Sequence, residues 1–273
     1  MSLLERTKSL LRTYRIAPNK FLGQNFMIEP SMFQVLVDSA SVNKNDAVLD
    51  VGAGFGFLTR FLADKCRKVV AVEADVNVAA VLREQLSGLL NVEIVQGNVL
   101  KVNVPEFNKA VSIPPYQISS RLMLWLFTRD FDCAVLILQK EFANRLVASA
   151  GSDDYGWLTV LTYYWVKSEL LDRVSKDMFY PQPKVDSVVV RLAPRKRPPF
   201  ALKDEAMFKR LVPSLFTQRN RKVRNAVLPF LRGMLAKTAK DALMLSDTTP
   251  FRDKRVRELA PEDFGELANA LAN

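Results

Sequence analysis

Residues able to do chemistry cluster in a few short blocks of this chain. The first is Asp50-Val51-Gly52-Ala53-Gly54-Phe55-Gly56, at the end of the apolar run Ala47–Val51. Glycines there allow a tight turn and a close approach of backbone to a ligand. Glu73 ends a second apolar run, 21 residues after Gly52. A carboxylate at that offset can accept both hydroxyls of a ribose. The loop reads G-x-G-x-G rather than G-x-G-x-x-G, and no Ser, Thr or Lys is set to cradle phosphates. That favours S-adenosylmethionine over a dinucleotide. A third run ends at Gln96-Gly97-Asn98-Val99. Asn98 is placed to meet an adenine edge, and a plain turn residue is its alternative reading.

These blocks need a scaffold, and the hydrophobic pattern provides one. Strands are expected at Ala47–Val51, Lys68–Glu73, Val92–Val95, Ala110–Ile113 and Cys133–Leu138. Helices are expected between them, at Leu58–Ala63, Asn77–Leu86 and Ser119–Phe127. Such alternation predicts a parallel sheet covered by helices on both faces. Two more β-rich runs, Leu158–Val166 and Ser187–Leu192, are expected to close the sheet as an antiparallel pair. The stretch Pro194-Arg195-Lys196-Arg197-Pro198-Pro199 reads as a linker, since Pro and like charges favour extension. Helical patterning follows at 204–216, 220–236, 238–245 and 261–271. The expected organisation is an α/β, Rossmann-like methyltransferase domain over residues 1–190 and a small, basic helical domain over 191–273.

Composition narrows the chemistry. The chain of 273 residues has no histidine and two cysteines, Cys66 and Cys133. That removes histidine-dependent catalysis, a disulfide framework and a zinc cluster, so no metal is expected. Both cysteines lie in or beside apolar runs and read as buried thiols. The apolar runs fall short of the ~18–20 residues of a membrane span. The first residues lack the apolar core of a signal peptide, so a cytoplasmic protein is expected. The net charge of +10 is uneven. Residues 191–273 carry 18 basic and 9 acidic side chains, and residues 1–20 carry 5 and 1. Two basic ends on a near-neutral body point to a polyanion partner.

Further blocks then identify a family. Gly23-Gln24-Asn25-Phe26, Val48–Thr59 (VLDVGAGFGFLT), Ser112–Ser120 (SIPPYQISS) and Phe179–Ser187 (FYPQPKVDS) occur in that order. Gln139–Ala143 and Phe216–Arg224 add support. Together they resemble the KsgA-type ribosomal RNA adenine dimethyltransferases, most closely archaeal members. The resemblance implies methyl transfer from S-adenosylmethionine to N6 of two adjacent adenines, in a hairpin loop near the end of small-subunit rRNA. It also implies a role in ribosome assembly on the pre-ribosomal small subunit, and a monomer is assumed.

By the same resemblance, Gln24, Asn25, Met27, Gly52, Gly54, Glu73, Ala74, Gly97, Asn98, Val99 and Ile113 border the cofactor. Ile113, Pro114, Tyr116 and Phe179 form the catalytic set, with Tyr116 and Phe179 sandwiching a flipped base. Arg195, Lys196, Arg197, Arg219, Arg221, Lys222 and Arg224 are the candidate RNA contacts, and Arg121 could meet a phosphate.

Three positions depart from the family pattern. Asp50 stands where Glu is usual, and Asn98 where Asp is usual. Ile113 stands where the catalytic block carries Asn. Ile offers no hydrogen bond, which leaves the Pro114 carbonyl as one acceptor and Ser112 as a substitute. Losing one such bond should cost ~1–3 kcal/mol. An RNA-binding assembly factor of the same fold, with weak or lost methylation, is the alternative. A large-subunit rRNA methyltransferase of the Erm type is a more distant one.

Overall fold

The structure, a computed structural model, describes residues 1–233 and 238–272. Its strands are β1 (Phe26–Met27), β2 (Ala47–Val51), β3 (Lys68–Glu73), β4 (Val92–Gln96), β5 (Lys109–Ser112), β6 (Cys133–Gln139), β7 (Val166–Val174), β8 (Phe179–Tyr180) and β9 (Ser187–Pro194). Seven of them form one sheet in the order β4-β3-β2-β5-β6-β9-β7. β4, β3, β2, β5 and β6 run parallel to one another, and β9 is antiparallel to β6. β2 is buried along its whole length. That is why its sequence, apart from the buried Asp50, is apolar at successive positions and not an alternation.

Two compact units divide the chain, Met1–Ala143 with Glu169–Pro194, and Asn144–Ser168 with Arg195–Asn273. This differs from a single cut at residue 190, because residues 144–168 group with the C-terminal helices. In the first unit, Leu36 and Leu62, on helices 31–39 and 57–63, pack with Val69, Val111 and Val135 of the sheet. Leu82 and Leu86, on helix 76–86, pack with Ala71.

An N-terminal helix that the sequence reading did not assign, Leu3–Thr13, opens with a reciprocal cap. Glu5 N–H donates to Ser2 Oγ (3.2 Å) and Ser2 N–H to Glu5 Oε2 (2.8 Å). Its Leu11 packs with Phe26, Phe55, Val78 and Val81.

In the second unit, the run expected as a strand at Leu158–Val166 is a helix, Trp157–Trp165. Leu158, Thr159, Val160, Leu161 and Thr162 are all buried, so consecutive positions are covered and neither period shows in the sequence. Gly156 precedes it, its N–H held by Thr159 Oγ1 (3.1 Å). The strand that does form, β7, is the polar run after it, which passes into the first unit at Glu169, with both ends buried and its middle half-exposed or exposed. β7 is an edge strand of the sheet, where charged residues suit an unpaired edge.

Helices 205–216 and 261–271 match their expected spans closely. The helix expected over 220–236 is two short ones, Val223–Ala226 and Leu228–Gly233, and positions 234–236 lie outside the described residues. Helix 239–248 runs three residues beyond the expected end at 245.

Candidate active site

The strand order reverses at β2. The chain steps outward from β2 to β3 and β4, then returns to place β5 on the other side of β2. In open sheets of this kind, ligands bind outside the carboxyl ends of the strands at that point. Here the carboxyl ends of β2, β3, β4 and β5 deliver the glycine loop, Glu73, Gly97-Asn98 and Ile113-Pro114-Pro115-Tyr116 to one cleft.

Two backbone hydrogen bonds fold the glycine loop against β3, with Gly52 N–H (2.8 Å) and Ala53 N–H (3.1 Å) both donating to the Val72 carbonyl. Gly52 has φ 75°, and a Cβ there would lie 2.8 Å from Pro115 Cδ. Any side chain would therefore push the glycine loop into the loop after β5.

Glu73 is 7% exposed. Its Oε2 accepts Gly54 N–H (2.9 Å) and its Oε1 accepts Asp75 N–H (2.9 Å). With these backbone donors in place the carboxylate still has lone-pair capacity for a ligand. Burial pushes its carboxyl above the usual range, against the pull of these backbone donors. Asp50, 1% exposed, accepts from Thr59 Oγ1 (2.7 Å). Burial pushes its pKa up to about 7, with Thr59 opposing and Glu73 adding to the rise. Two buried carboxylates beneath a phosphate-unfriendly loop suit a cationic ligand bearing a ribose. The donor set therefore fits S-adenosylmethionine, with its sulfonium and ammonium charges.

A pH dependence follows. A bound cation favours ionised Asp50, so binding near pH 7 should release a fraction of a proton and tighten as pH rises through about 7. Calorimetry of cofactor binding in buffers of different ionisation enthalpy should show that release, and Asp50→Asn should reduce it. Stability carries the opposite sign. The folded pKa lies above the unfolded one, so the contribution of Asp50 to ligand-free stability should fall between about pH 4 and 7 and level off above. Asp50→Asn should flatten that profile.

All eleven candidate cofactor residues, Gln24 to Ile113, line this cleft. Gln24 bridges two parts of it. Its Oε1 accepts Asn19 N–H (2.8 Å), and its Nε2 donates to Asp75 Oδ2 (2.9 Å). Asp75 also caps helix 76–86 through Asn77 N–H and Val78 N–H. It was not among the candidates, although an Asp directly before a helical pattern is a readable cap signal. Asn98 Oδ1 closes the turn after β4 by accepting Leu100 N–H (3.0 Å). Its turn role is therefore real, and its amide N–H₂ is the group it offers the cleft.

Two catalytic expectations change. Ser112 cannot substitute for a missing acceptor. Its hydroxyl accepts Val51 N–H (2.8 Å) and donates to the Leu49 carbonyl (3.2 Å), at 0% exposure. Phe179 does not reach the cleft lining. It pairs with Met27 across the short β1–β8 ladder and is 2% exposed within the apolar core. It belongs to the buried apolar cluster that also holds Met27, Phe33 and Leu36. Tyr116 does line the cleft, with its hydroxyl 2.7 Å from Ser187 Oγ. Ile113 and Pro114 line it as well.

The cationic candidates separate by partner. Arg195 donates to the Tyr163 carbonyl (2.7 Å) and lies over the Tyr163 ring. Arg219 donates to the carbonyls of Asp153 and Ser152 (2.9 Å each). Lys222 and Arg224 both pair with Asp253. Lys196, Arg197 and Arg221 are exposed.

Comparison with known proteins completes the picture. The family model for ribosomal RNA adenine dimethylase matches residues 16–267. The chain belongs to the ribosomal RNA adenine dimethylase family. This dimethylase uses S-adenosylmethionine to dimethylate rRNA adenine. A protein of Methanosarcina acetivorans named "Probable ribosomal RNA small subunit methyltransferase A" is 39% identical over 265 residues, 97% of each chain. One of the same name in Thermococcus kodakarensis is 39% identical over 98% of the dimethylase and 95% of its own length. Among solved structures, a dimethyladenosine transferase from Plasmodium falciparum superposes with TM-score 0.74 at 26% identity, covering 88% of this chain and 94% of that one. The 23S rRNA methyltransferase ErmE gives 0.63 at 28% identity, covering 91% and 100%.

Proposed function

We propose that the dimethylase acts on two adjacent adenines in a hairpin loop near the end of small-subunit rRNA. It does so as a cytoplasmic monomer, on the pre-ribosomal small subunit. The observation that carries this reading is the convergence of the glycine loop, Glu73 and the Ile113–Tyr116 loop on one cleft, in a chain 39% identical over 97% of its length to a protein named for the small subunit.

When bound, S-adenosylmethionine supplies a methyl group on a positively charged sulfur. Glu73 accepts the ribose hydroxyls, and the Asn98 amide donates to an adenine ring nitrogen. An exocyclic amine is a poor nucleophile because its lone pair is shared with the ring, so placement matters most. Good positioning contributes ~7–11 kcal/mol to such reactions. Pro115 has its carbonyl occupied by Ile118 N–H (3.2 Å). On this reading the Pro114 carbonyl accepts an amine hydrogen and Tyr116 stacks on the flipped base.

The test is methyl transfer from labelled cofactor onto unmethylated small subunits, with the modified nucleosides identified by mass spectrometry. N6,N6-dimethyladenosine at two adjacent positions is the expected product. Label on large-subunit RNA would overturn the substrate assignment. Neither nucleoside from wild type would favour the assembly-factor alternative. Ile113→Asn adds an acceptor worth ~1–3 kcal/mol, so the rate should hold or rise by up to roughly a hundredfold.

Among the basic side chains, we assign phosphate contact to Lys196, Arg197 and Arg221. Replacing these three with Gln should weaken RNA binding and lower the log–log salt slope by about 2. Arg219→Ala should instead lower thermal stability by ~1–3 kcal/mol, since it removes two hydrogen bonds that hold residues 152–153.

A further inference from the structure

Phe21 is 95% exposed, yet it forms part of the wall of the cleft that holds Glu73 and Tyr116. A single exposed apolar side chain is ordinary on a protein surface. What distinguishes this one is how firmly its backbone is held. Phe21 N–H donates to Asn19 Oδ1 (2.8 Å), and the N–H groups of Leu22 and Gln24 both donate to the Asn19 carbonyl (3.2 Å each). Asn19 N–H returns to Gln24 Oε1, and Gln24 ties the loop to Asp75, the cap of the helix that follows Glu73. At Gly23, φ is 64°, and a Cβ would lie 1.8 Å from Gln117 Oε1. The same loop is therefore pressed against the loop that carries Tyr116.

A rigid ring on a fixed backbone loses little conformational freedom when a partner covers it. Its partner must be flat and apolar on one face. The ring stands in solvent, whereas Asp50 and Glu73, which mark the recess for the cofactor, are 1% and 7% exposed. A solvent-side ligand is therefore the one it can meet. Arg121, exposed on the same cleft wall, supplies a cation suited to phosphate. A flat π-face beside a phosphate describes a nucleotide. Phe179, the aromatic expected to share this work with Tyr116, is buried, which leaves Phe21 as an accessible aromatic face at the mouth.

We infer that Phe21 is a stacking platform for an unpaired base of the RNA substrate, with Arg121 contacting an adjoining phosphate. The inference rests on the RNA-substrate reading above. Each stacked base is worth ~1–3 kcal/mol in comparable sites, so Phe21→Ala and Phe21→Leu should raise KM for RNA roughly 5- to 100-fold. Affinity for S-adenosylmethionine should stay within about twofold. Phe21→Trp should restore KM, because it keeps a π-face that Leu lacks.

A second readout needs no methyl transfer. The added indole fluorescence of the Phe21→Trp protein, relative to wild type, should be quenched by a short hairpin RNA with an adenine-rich loop. S-adenosylhomocysteine alone should leave it unchanged. Quenching by the hairpin together with no methyl transfer onto unmethylated small subunits would leave the stacking platform standing while removing the small-subunit assignment. An unchanged KM in Phe21→Ala, or quenching by S-adenosylhomocysteine alone, would overturn the inference, the latter making Phe21 a cover for the cofactor.

Discussion

Glu73→Ala should raise the dissociation constant for S-adenosylmethionine by about 100-fold or more. Hydrogen bonds to a charged group contribute ~1.5–3 kcal/mol each, and the ribose offers two hydroxyls to this carboxylate. Glu73→Gln should be nearly as damaging. One of its two terminal atoms becomes a donor, and that donor must face Gly54 N–H or Asp75 N–H, which are donors themselves. Isothermal calorimetry gives the affinity, and a thermal melt shows whether the fold persists. Wild-type affinity in a folded Glu73→Ala protein would remove the ribose assignment.

Tyr116 and Phe179 should separate cleanly, although the sequence paired them. Phe179→Ala should cost ~3–5 kcal/mol of stability, because it empties a site in the core that is 2% exposed. In a domain of this size that lowers the melting temperature by roughly 10 °C. Tyr116→Ala should instead reduce methyl transfer about 5- to 100-fold while cofactor affinity persists. Tyr116→Phe keeps the ring and loses the contact with Ser187, so it should retain most of the rate. Single-turnover transfer and melting curves on the three variants decide between the roles. A Phe179→Ala protein with wild-type stability and lost transfer would return Phe179 to the catalytic set.

The parallel half of the sheet was readable because β2, β3, β5 and β6 are buried along nearly their whole length and β4 is half-buried, so each one is a short, mainly apolar run with a glycine or polar residue at its end. Val92, Ala110 and Cys133 open three such runs, and the structure moves their ends by no more than one residue. The cofactor wall was readable for a related reason, since positive-φ glycines and a strand-end carboxylate leave a spaced signature. What escaped lacks that kind of local mark. Helix 157–165 is covered on consecutive positions, so its period vanished and its β-branched and aromatic residues argued for a strand. The burial of Phe179 depends on pairing with Met27, a contact that no local window contains. The occupied hydroxyl of Ser112 depends on Leu49 and Val51, in the adjacent strand β2. The roles of Arg219, Lys222 and Arg224 depend on carbonyls and a carboxylate remote in the chain. A charge run shows charge and not what the charge touches.

The β1–β8 ladder carries a consequence for how the protein is made. Phe26 and Met27 find their strand partners in Tyr180 and Phe179, about 150 residues further along. Closing so long a loop is entropically costly and slow. At a synthesis rate of roughly 5–20 residues per second, the amino-terminal wall of the cleft waits about 8–30 s for the strand that anchors it. During that interval Met27 lacks its strand partner, although Gln24 already has Asn19 and Asp75 within reach. A nascent chain released short of residue 180 can form β2 to β6 and still lack a finished cofactor pocket. Ligand binding to the folded cleft then stabilises a chain whose distant segments have already met.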